Sequence, residues 1–151
     1  MITLFTDGAA KGNPGPGGYG AILKYRNKEK ELSEGFRMTT NNRMELLAVI
    51  VGLEAIKTPG WKVKVVSDSK YVVDAVVKKW LNGWVKKEFK GKKNRDLWER
   101  YLKASKGHDV TFQWVKGHAG HAENERCDQL AVKAAESSEL KIDSFFESER
   151  S

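Results

Sequence analysis

A chain of 151 residues fits a single domain with one hydrophobic core. With 40% hydrophobic and 31% charged residues it is no disordered tail protein, and its longest apolar run, Leu46 to Leu53, is far short of the roughly 18 to 20 residues a membrane span needs. A net charge of +7 points to an anionic partner, and Cys127, the only cysteine, excludes an intrachain disulfide and a cysteine-based zinc site.

The first segment, Ile2 to Thr6, is short, apolar and β-branched, and reads as a strand that Asp7 ends beside a glycine. It carries no secretory signal, so the cytoplasm is the expected compartment. Gly12 to Gly18 is too rich in glycine and proline for regular structure and reads as a tight loop. Tyr19 to Arg26 and Glu31 to Met38 then form a hairpin, giving three antiparallel strands. Asn42 to Lys57 is apolar on every face around Leu46–Val51, which marks a helix buried on most sides, stopped by Thr58-Pro59-Gly60.

Val63 to Ser67 is a fourth strand, and Ser69 to Lys79 a helix that runs into a basic, tryptophan-bearing stretch. Asn94 to Ala104 is a helix burying Leu97, Trp98, Tyr101 and Leu102, and Val110 to Val115 a fifth strand alternating Val110, Phe112 and Trp114 inward. A last helix places Cys127, Leu130, Ala131 and Ala134 on one stripe, where Cys127 is a small core residue and not a nucleophile. The tail from Glu136 to Ser151 is acidic and serine-rich, a composition that predicts partial disorder. This order predicts an α/β chain: a mixed five-stranded sheet, its first three strands antiparallel, flanked by helices.

The positive charge is concentrated. Between Lys78 and Arg95 eight basic residues stand against Glu88 alone, which leaves the rest of the chain neutral. Such a run is most simply a solvated face. Trp80, Trp84 and Phe89 are interleaved with it, however, and flat rings can stack on bases or sugars while ammonium groups displace counterions from phosphates.

Four acids occupy notable positions: Asp7 and Asp68 at strand ends, Glu45 in the first turn of the apolar helix, and Asp128 beside Cys127. Singly, each is most simply a solvated or capping carboxylate. Two acids at the carboxyl ends of parallel neighbours can converge, and a cluster of ionised carboxylates is not stable without cations between them. Oxygen-only ligation suits Mg²⁺ or Mn²⁺ rather than zinc. Two such ions about 3.5 to 4 Å apart form a clamp for in-line displacement at phosphorus. His118 and His121 lie on the loop before the last helix. Either can be a surface residue, but a glycine-flanked loop also permits a mobile proton carrier, and His118, nearer the strand end and preceded by Gly117, is the stronger candidate.

Several motifs occur together: Thr6-Asp7-Gly8 with Gly12-Asn13-Pro14-Gly15, Thr40 to Glu45, Ser67-Asp68-Ser69, Trp114 to His121, and Asn124 to Asp128. In this order and at these separations they strongly resemble the type 1 ribonuclease H family, and its bacterial ribonuclease HI branch in particular, over about residues 1 to 136. The resemblance implies a ribonuclease H-like fold and endonucleolytic cleavage of the RNA strand of RNA–DNA hybrids, leaving 3′-hydroxyl and 5′-phosphate ends. It implies one catalytic domain, residues 1–136, with a basic handle at about 78–95 and a separate tail, residues 137–151. Asp7, Glu45, Asp68 and Asp128 would hold two Mg²⁺ ions, replaceable by Mn²⁺, and His118 would be the mobile histidine. Asn13, Asn41 and Asn42 would read the hybrid's minor groove, Thr40 and Asn94 would hold a DNA phosphate, and Tyr71 and Trp80 would line a DNA channel. Trp84, Lys86 and Lys87 in the handle would add substrate contacts.

The chain departs from the family pattern in four places, one of them a spacing from Asp68 to Trp80 one residue longer than usual. Lys70 stands where glutamine is frequent and Ala10 where cysteine is common, and the handle is shortened after Phe89. No hybrid-binding domain or polymerase is expected to accompany the catalytic part. The expected molecule is a monomer whose partner is the hybrid, with no membrane, and the family suggests a single-stranded-DNA-binding protein as a further partner. Two other readings remain open on sequence: a non-catalytic nucleic-acid-binding module of the same fold, and an integrase- or resolvase-like DNA nuclease.

Overall fold

Alternating side chains make Ile2–Ala10 (β1), Gly15–Tyr25 (β2) and Lys28–Thr39 (β3) an antiparallel meander, with Leu4 opposite Leu23 and Ala21 opposite Leu32. The computed structural model describes residues 1–117 and 121–150. Lys62–Ser67 (β4) adds parallel to β1, and Asp109–Trp114 (β5) parallel to β4, so the sheet order is β3-β2-β1-β4-β5. The mixed five-stranded sheet expected from the sequence is therefore the observed one.

Asn41–Glu54 (α1) lies across one face of this sheet, and Arg95–Ser105 (α4) packs against α1. That sandwich explains why α1 has no polar side: Met44, Leu46, Val49, Ile50 and Leu53 are all buried, and Leu4 of β1 packs against Gly52. Lys70–Val77 (α2) and the short Trp80–Lys86 (α3) follow β4. On the other face Ala122–Ala135 (α5) crosses β1 and β2, burying Cys127, Ala131 and Ala135. Its Cys127 Sγ donates to the Phe5 carbonyl at 3.3 Å, and burial pushes the thiol pKa up, which suits a core residue.

Several elements differ from their predicted bounds. β1 runs on through Asp7, Gly8, Ala9 and Ala10, and β2 begins at Gly15, inside the expected loop. Gly18 is a strand residue under a helix, where a Cβ would lie 2.4 Å from the Ala131 carbonyl oxygen of α5, and at Gly20, further along β2, a Cβ would lie 2.3 Å from the Cys127 carbonyl oxygen. α1 ends at Glu54, capped at Ala55, before the Pro59–Gly60 turn is reached. α2 ends at Val77 because Lys79 turns left-handed (φ 61°), separating it from α3. Leu102 is exposed, since α4 buries the stripe centred on Leu97, Trp98 and Tyr101. Trp114 is also exposed, as the last residue of the edge strand β5.

The tail is not a disordered appendage among the described residues. Lys141 bridges in parallel to Phe36 of β3, and Ser144–Arg150 (α6) continues along the body. No helix among the described residues is long and apolar enough to cross a membrane.

The contact of α5 with β2 gives a direct test. Gly20→Ala forces these backbones apart, and urea unfolding should show a loss of about 1 to 3 kcal/mol. An unchanged midpoint would mean that the two layers have room to spare.

Candidate active site

β1 and β4 stop pairing at Phe5 and Val66, so Asp7, still within β1, and Asp68, just past the end of β4, both lie beyond the last parallel pair. Asp7 is still held by β2, opposite Gly20, which keeps its carboxylate at a defined height above the sheet edge. Glu45 arrives from α1. Its approach depends on Gly8, where a Cβ would lie 2.4 Å from the Glu45 backbone nitrogen; without a side chain at Gly8, the Met44–Glu45 backbone of α1 can sit on β1. The sequence predicts Glu45 within the first turn; it lies just past it, because α1 starts one residue earlier, at Asn41 behind the Thr40 cap. The Gly8 N–H also donates to Asp7 Oδ1 at 2.9 Å.

Asp7, Glu45 and Asp68 each offer a carboxylate oxygen within 4.8 Å of the others. Asp7 and Glu45 are only 8% and 9% exposed, and Glu45 Oε2 is buried without a hydrogen-bond partner. Burial, opposed by a hydrogen bond with Glu45 and reinforced by the charges of Asp68 and Asp128, pushes the Asp7 pKa up to about 7. Burial and the Asp7 charge hold Glu45 well above the usual carboxylate range. A set of oxygen donors whose charges resist coexistence, with one atom unsatisfied, is compatible with a divalent cation. Asp68 does not cap α2, because the Ser69 hydroxyl does so by accepting from Val72 N–H at 3.3 Å.

Asp128 of α5 stands outside this tight trio. It is half-buried and lines, with Asp7 and Asp68, a recess of about 20 Å³, room for a water or an ion. Lys116, His121, Asn124 and Glu125 line the same recess. The sequence reading gave none of these four a role beyond His121's second place. Their signal lay in position, directly after β5 and in the first turn of α5. Asn124 Nδ2 donates to the Val66 carbonyl at 3.3 Å while its Oδ1 is buried and unpaired. His118 lies outside the described residues.

Of the other predicted residues, Asn13, Thr40, Asn42 and Asn94 line a separate groove of about 800 Å³ together with Lys92 and Lys93, whereas Asn41, Tyr71, Trp80, Trp84, Lys86 and Lys87 lie outside its lining. Thr40 rather than an asparagine caps α1, its Oγ1 accepting from Arg43 N–H at 3.2 Å. Asn41 Oδ1 accepts from Ala10 N–H at 2.5 Å, and Asn13 Oδ1 from Asn41 N–H at 3.0 Å, so this corner is stitched through its amide oxygens. The Tyr71 hydroxyl accepts from Asn94 Nδ2 at 3.0 Å and from Trp98 Nε1 at 2.9 Å.

The basic segment is anchored by its aromatics. Phe89 is buried, and half-buried Trp84 packs edge-on to fully buried Trp98 at 5.7 Å. Trp80 is 48% exposed with Lys78 Nζ 5.3 Å from its ring, and Lys86 and Lys87 are exposed. Of the interleaved rings, Trp80 alone is largely open to solvent. Trp114, at the end of β5, lies beneath Lys70 Nζ at 4.9 Å and donates to the Asp68 carbonyl at 3.0 Å.

A family model for RNase H matches residues 1–136. A ribonuclease H of Desulforamulus reducens is 57% identical over 147 residues, 94% of this chain and 92% of its own. A ribonuclease HI of Shewanella oneidensis is 52% identical over 154 residues, 99% of this chain and 96% of its own. The crystal structure of LC9-RNase H1, described as a type 1 RNase H with the type 2 active-site motif, is similar with a TM-score of 0.81 and 33% identity over 89% of this chain and 72% of that one.

The raised carboxylates set the pH response of the metal-free chain. A group that holds its proton more tightly when folded adds stability at low pH and loses that contribution as pH rises from the unfolded value of 3.8 through about 7. Urea unfolding in EDTA should therefore weaken across this window, and Asp7→Asn should flatten the fall and stabilise the chain at pH 8 by on the order of 2 kcal/mol. Destabilisation by that substitution would contradict the repulsion described here.

Proposed function

The chain belongs to the ribonuclease H family, and from that premise we propose that it is an endonuclease hydrolysing the RNA strand of RNA–DNA hybrids, leaving 3′-hydroxyl and 5′-phosphate ends. The observation that carries this reading is the meeting of Asp7, Glu45 and Asp68 within 4.8 Å at one sheet edge. A protein that only bound phosphates would be hindered by such a cluster, because acids repel the backbone it must approach.

Asp7, Glu45, Asp68 and Asp128 would hold two Mg²⁺ ions, with Mn²⁺ able to replace them. Bound there, divalent cations supply the charge that activates an attacking water and neutralises the departing oxygen. The chain itself does the positioning. Asp7 and Asp68 ride on paired strands and Glu45 on a fully packed helix, so none of the three has to be ordered when substrate arrives. His118 would carry a proton between this site and solvent.

The Asn13 and Asn41 side-chain oxygens are already engaged with backbone N–H groups, which directs their Nδ2 groups to acceptors on a ligand. Such donors suit sugar hydroxyls and minor-groove base edges, and with Asn42 they would distinguish RNA by its 2′-hydroxyls. Thr40 and Asn94, beside Lys92, Lys93 and the start of α4, suit a DNA phosphate. Tyr71, Trp80 and Trp84 would flank the DNA strand, and Lys86 and Lys87 would add backbone charge contacts. Recognition would then follow hybrid shape rather than base sequence. We place the activity in a cytoplasmic monomer.

Matched hybrid, RNA duplex and DNA duplex, each with and without Mg²⁺, test the reading. Only the hybrid should be cut, and only with metal. Asp7→Asn should lower kcat by about a thousandfold or more while hybrid Kd stays within about threefold. Metal-independent binding without cleavage would favour a binding module, and cutting of the DNA duplex a resolvase-like nuclease.

A further inference from the structure

The most elaborate polar network among the described residues lies away from the carboxylates, around Arg43. This side chain is 2% exposed, yet each of its five N–H groups has an acceptor. Nε and Nη2 donate to Asp143 at 2.7 and 2.9 Å, Nη1 and Nη2 to Asp96 at 2.8 and 2.7 Å, and Nη1 also to Asn94 Oδ1 at 3.3 Å. Asp143 is itself buried and accepts from the Thr39 hydroxyl at 2.8 Å. It comes from the tail, beyond residues 1–136, and sits 100 residues along the chain from Arg43.

The network reaches the substrate groove through Asn94. With its oxygen held by Arg43 and one Nδ2 hydrogen used on the Tyr71 hydroxyl, the Asn94 amide is oriented, and its second Nδ2 hydrogen is directed by the other two bonds. Thr39, bonded to Asp143, immediately precedes Thr40. The tail also forms a wall of the groove, where Phe145, Phe146 and Glu149 face Asn13, Thr40 and Lys93. Both phenylalanine rings lie against the Arg43 guanidinium, at 5.6 and 6.0 Å. Backbone bonds from Arg37 N–H to the Lys141 carbonyl and from Lys141 N–H to the Gly35 carbonyl, both 2.9 Å, hold the segment down.

We infer that Asp143 is a positioning residue for hybrid binding: by locking Arg43 it orients Asn94 and the Thr39–Thr40 corner, so the docked tail sets the shape of the groove. The inference rests on the reading of that groove as a substrate site. It assigns the tail a part in affinity and none in the chemical step, because the network approaches the carboxylates only through the α1 backbone. A latch that served stability alone would not need to end on the groove's own asparagine.

Steady-state cleavage of a hybrid by Asp143→Asn, Thr39→Val, Asn94→Ala and the Asp143→Asn/Asn94→Ala pair tests this, at a temperature where circular dichroism shows each chain folded. Asp143→Asn should raise KM by about five- to tenfold with kcat within about twofold, and the pair should be no worse than the poorer single variant, because the two act as one unit. Thr39→Val, which loosens Asp143 without leaving a buried charge unpaired, should raise KM in the same direction and carries the test if Asp143→Asn does not fold. Glu139→Gln, elsewhere on the tail, should change neither constant. If Asn94→Ala leaves KM unchanged, the groove reading falls and this inference with it. If Asn94→Ala raises KM while the folded Asp143→Asn and Thr39→Val variants do not, or if the pair simply multiplies the single effects, the tail is a stability latch and the inference is wrong.

Discussion

Carboxylates that meet inside a folded chain oppose folding unless something offsets their repulsion, and the architecture here tolerates that opposition at one place. Two acids lie just beyond the last parallel pair of β1 and β4, and a third is brought over them by a helix seated on Gly8. The strain shows in the raised pKa of Asp7 and in the unpaired oxygen of Glu45. Everything around the trio serves to hold it: α1 is clamped between the sheet and α4, and β1 is paired on both sides as far as Phe5. The cluster is a cost in the metal-free fold and an asset once a divalent cation replaces the shared protons.

The positive surface is arranged separately from this negative point. The basic segment does not float as a solvated arm: Phe89 is buried, Trp84 packs on Trp98, and Trp98 binds the same tyrosine hydroxyl that holds Asn94. Handle, groove and tail are thereby one mechanical unit, joined through α4 and Arg43. Under the proposed function, cations that would attract a backbone and amides that would orient it need not lie near the acids that would act on it, since a hybrid would span the distance between them.

Much of the site was legible because its signals are local. Asp7 and Asp68 follow short β-branched runs and Glu45 precedes the apolar stretch of α1, so all three stood out, although Asp7 lies within β1 instead of at its end and Glu45 lies past the first turn of α1. What escaped the sequence was tertiary in origin. Gly15, Gly17 and Gly18 look like loop residues, yet β2 starts at Gly15, Gly17 packs against Thr39 and Ala9, and Gly18 lies under Ala131 of α5, so β1 and β2 were expected to be shorter. Trp114 shares the strand periodicity of Val110 and Phe112 but is the last residue of β5, and it is exposed where they are half-buried. The acidic composition of the tail argued for disorder, and the buried Arg43, whose need for counter-charge is invisible in sequence, helps explain why it docks, together with the backbone bonds of Lys141 and the Arg37–Glu147 pair. Lys116, just past β5, and Asn124, in the first turn of α5, reach the recess from positions that no periodicity predicts.

Calorimetric titration of Mn²⁺ into the substrate-free chain near pH 6.5, repeated in buffers of different ionisation enthalpy, tests the central claim most directly. Binding accompanied by release of protons, and lost when Asp7 is replaced by asparagine, is the result that shared, proton-holding carboxylates predict. No binding, or binding indifferent to that replacement and without proton release, would contradict it.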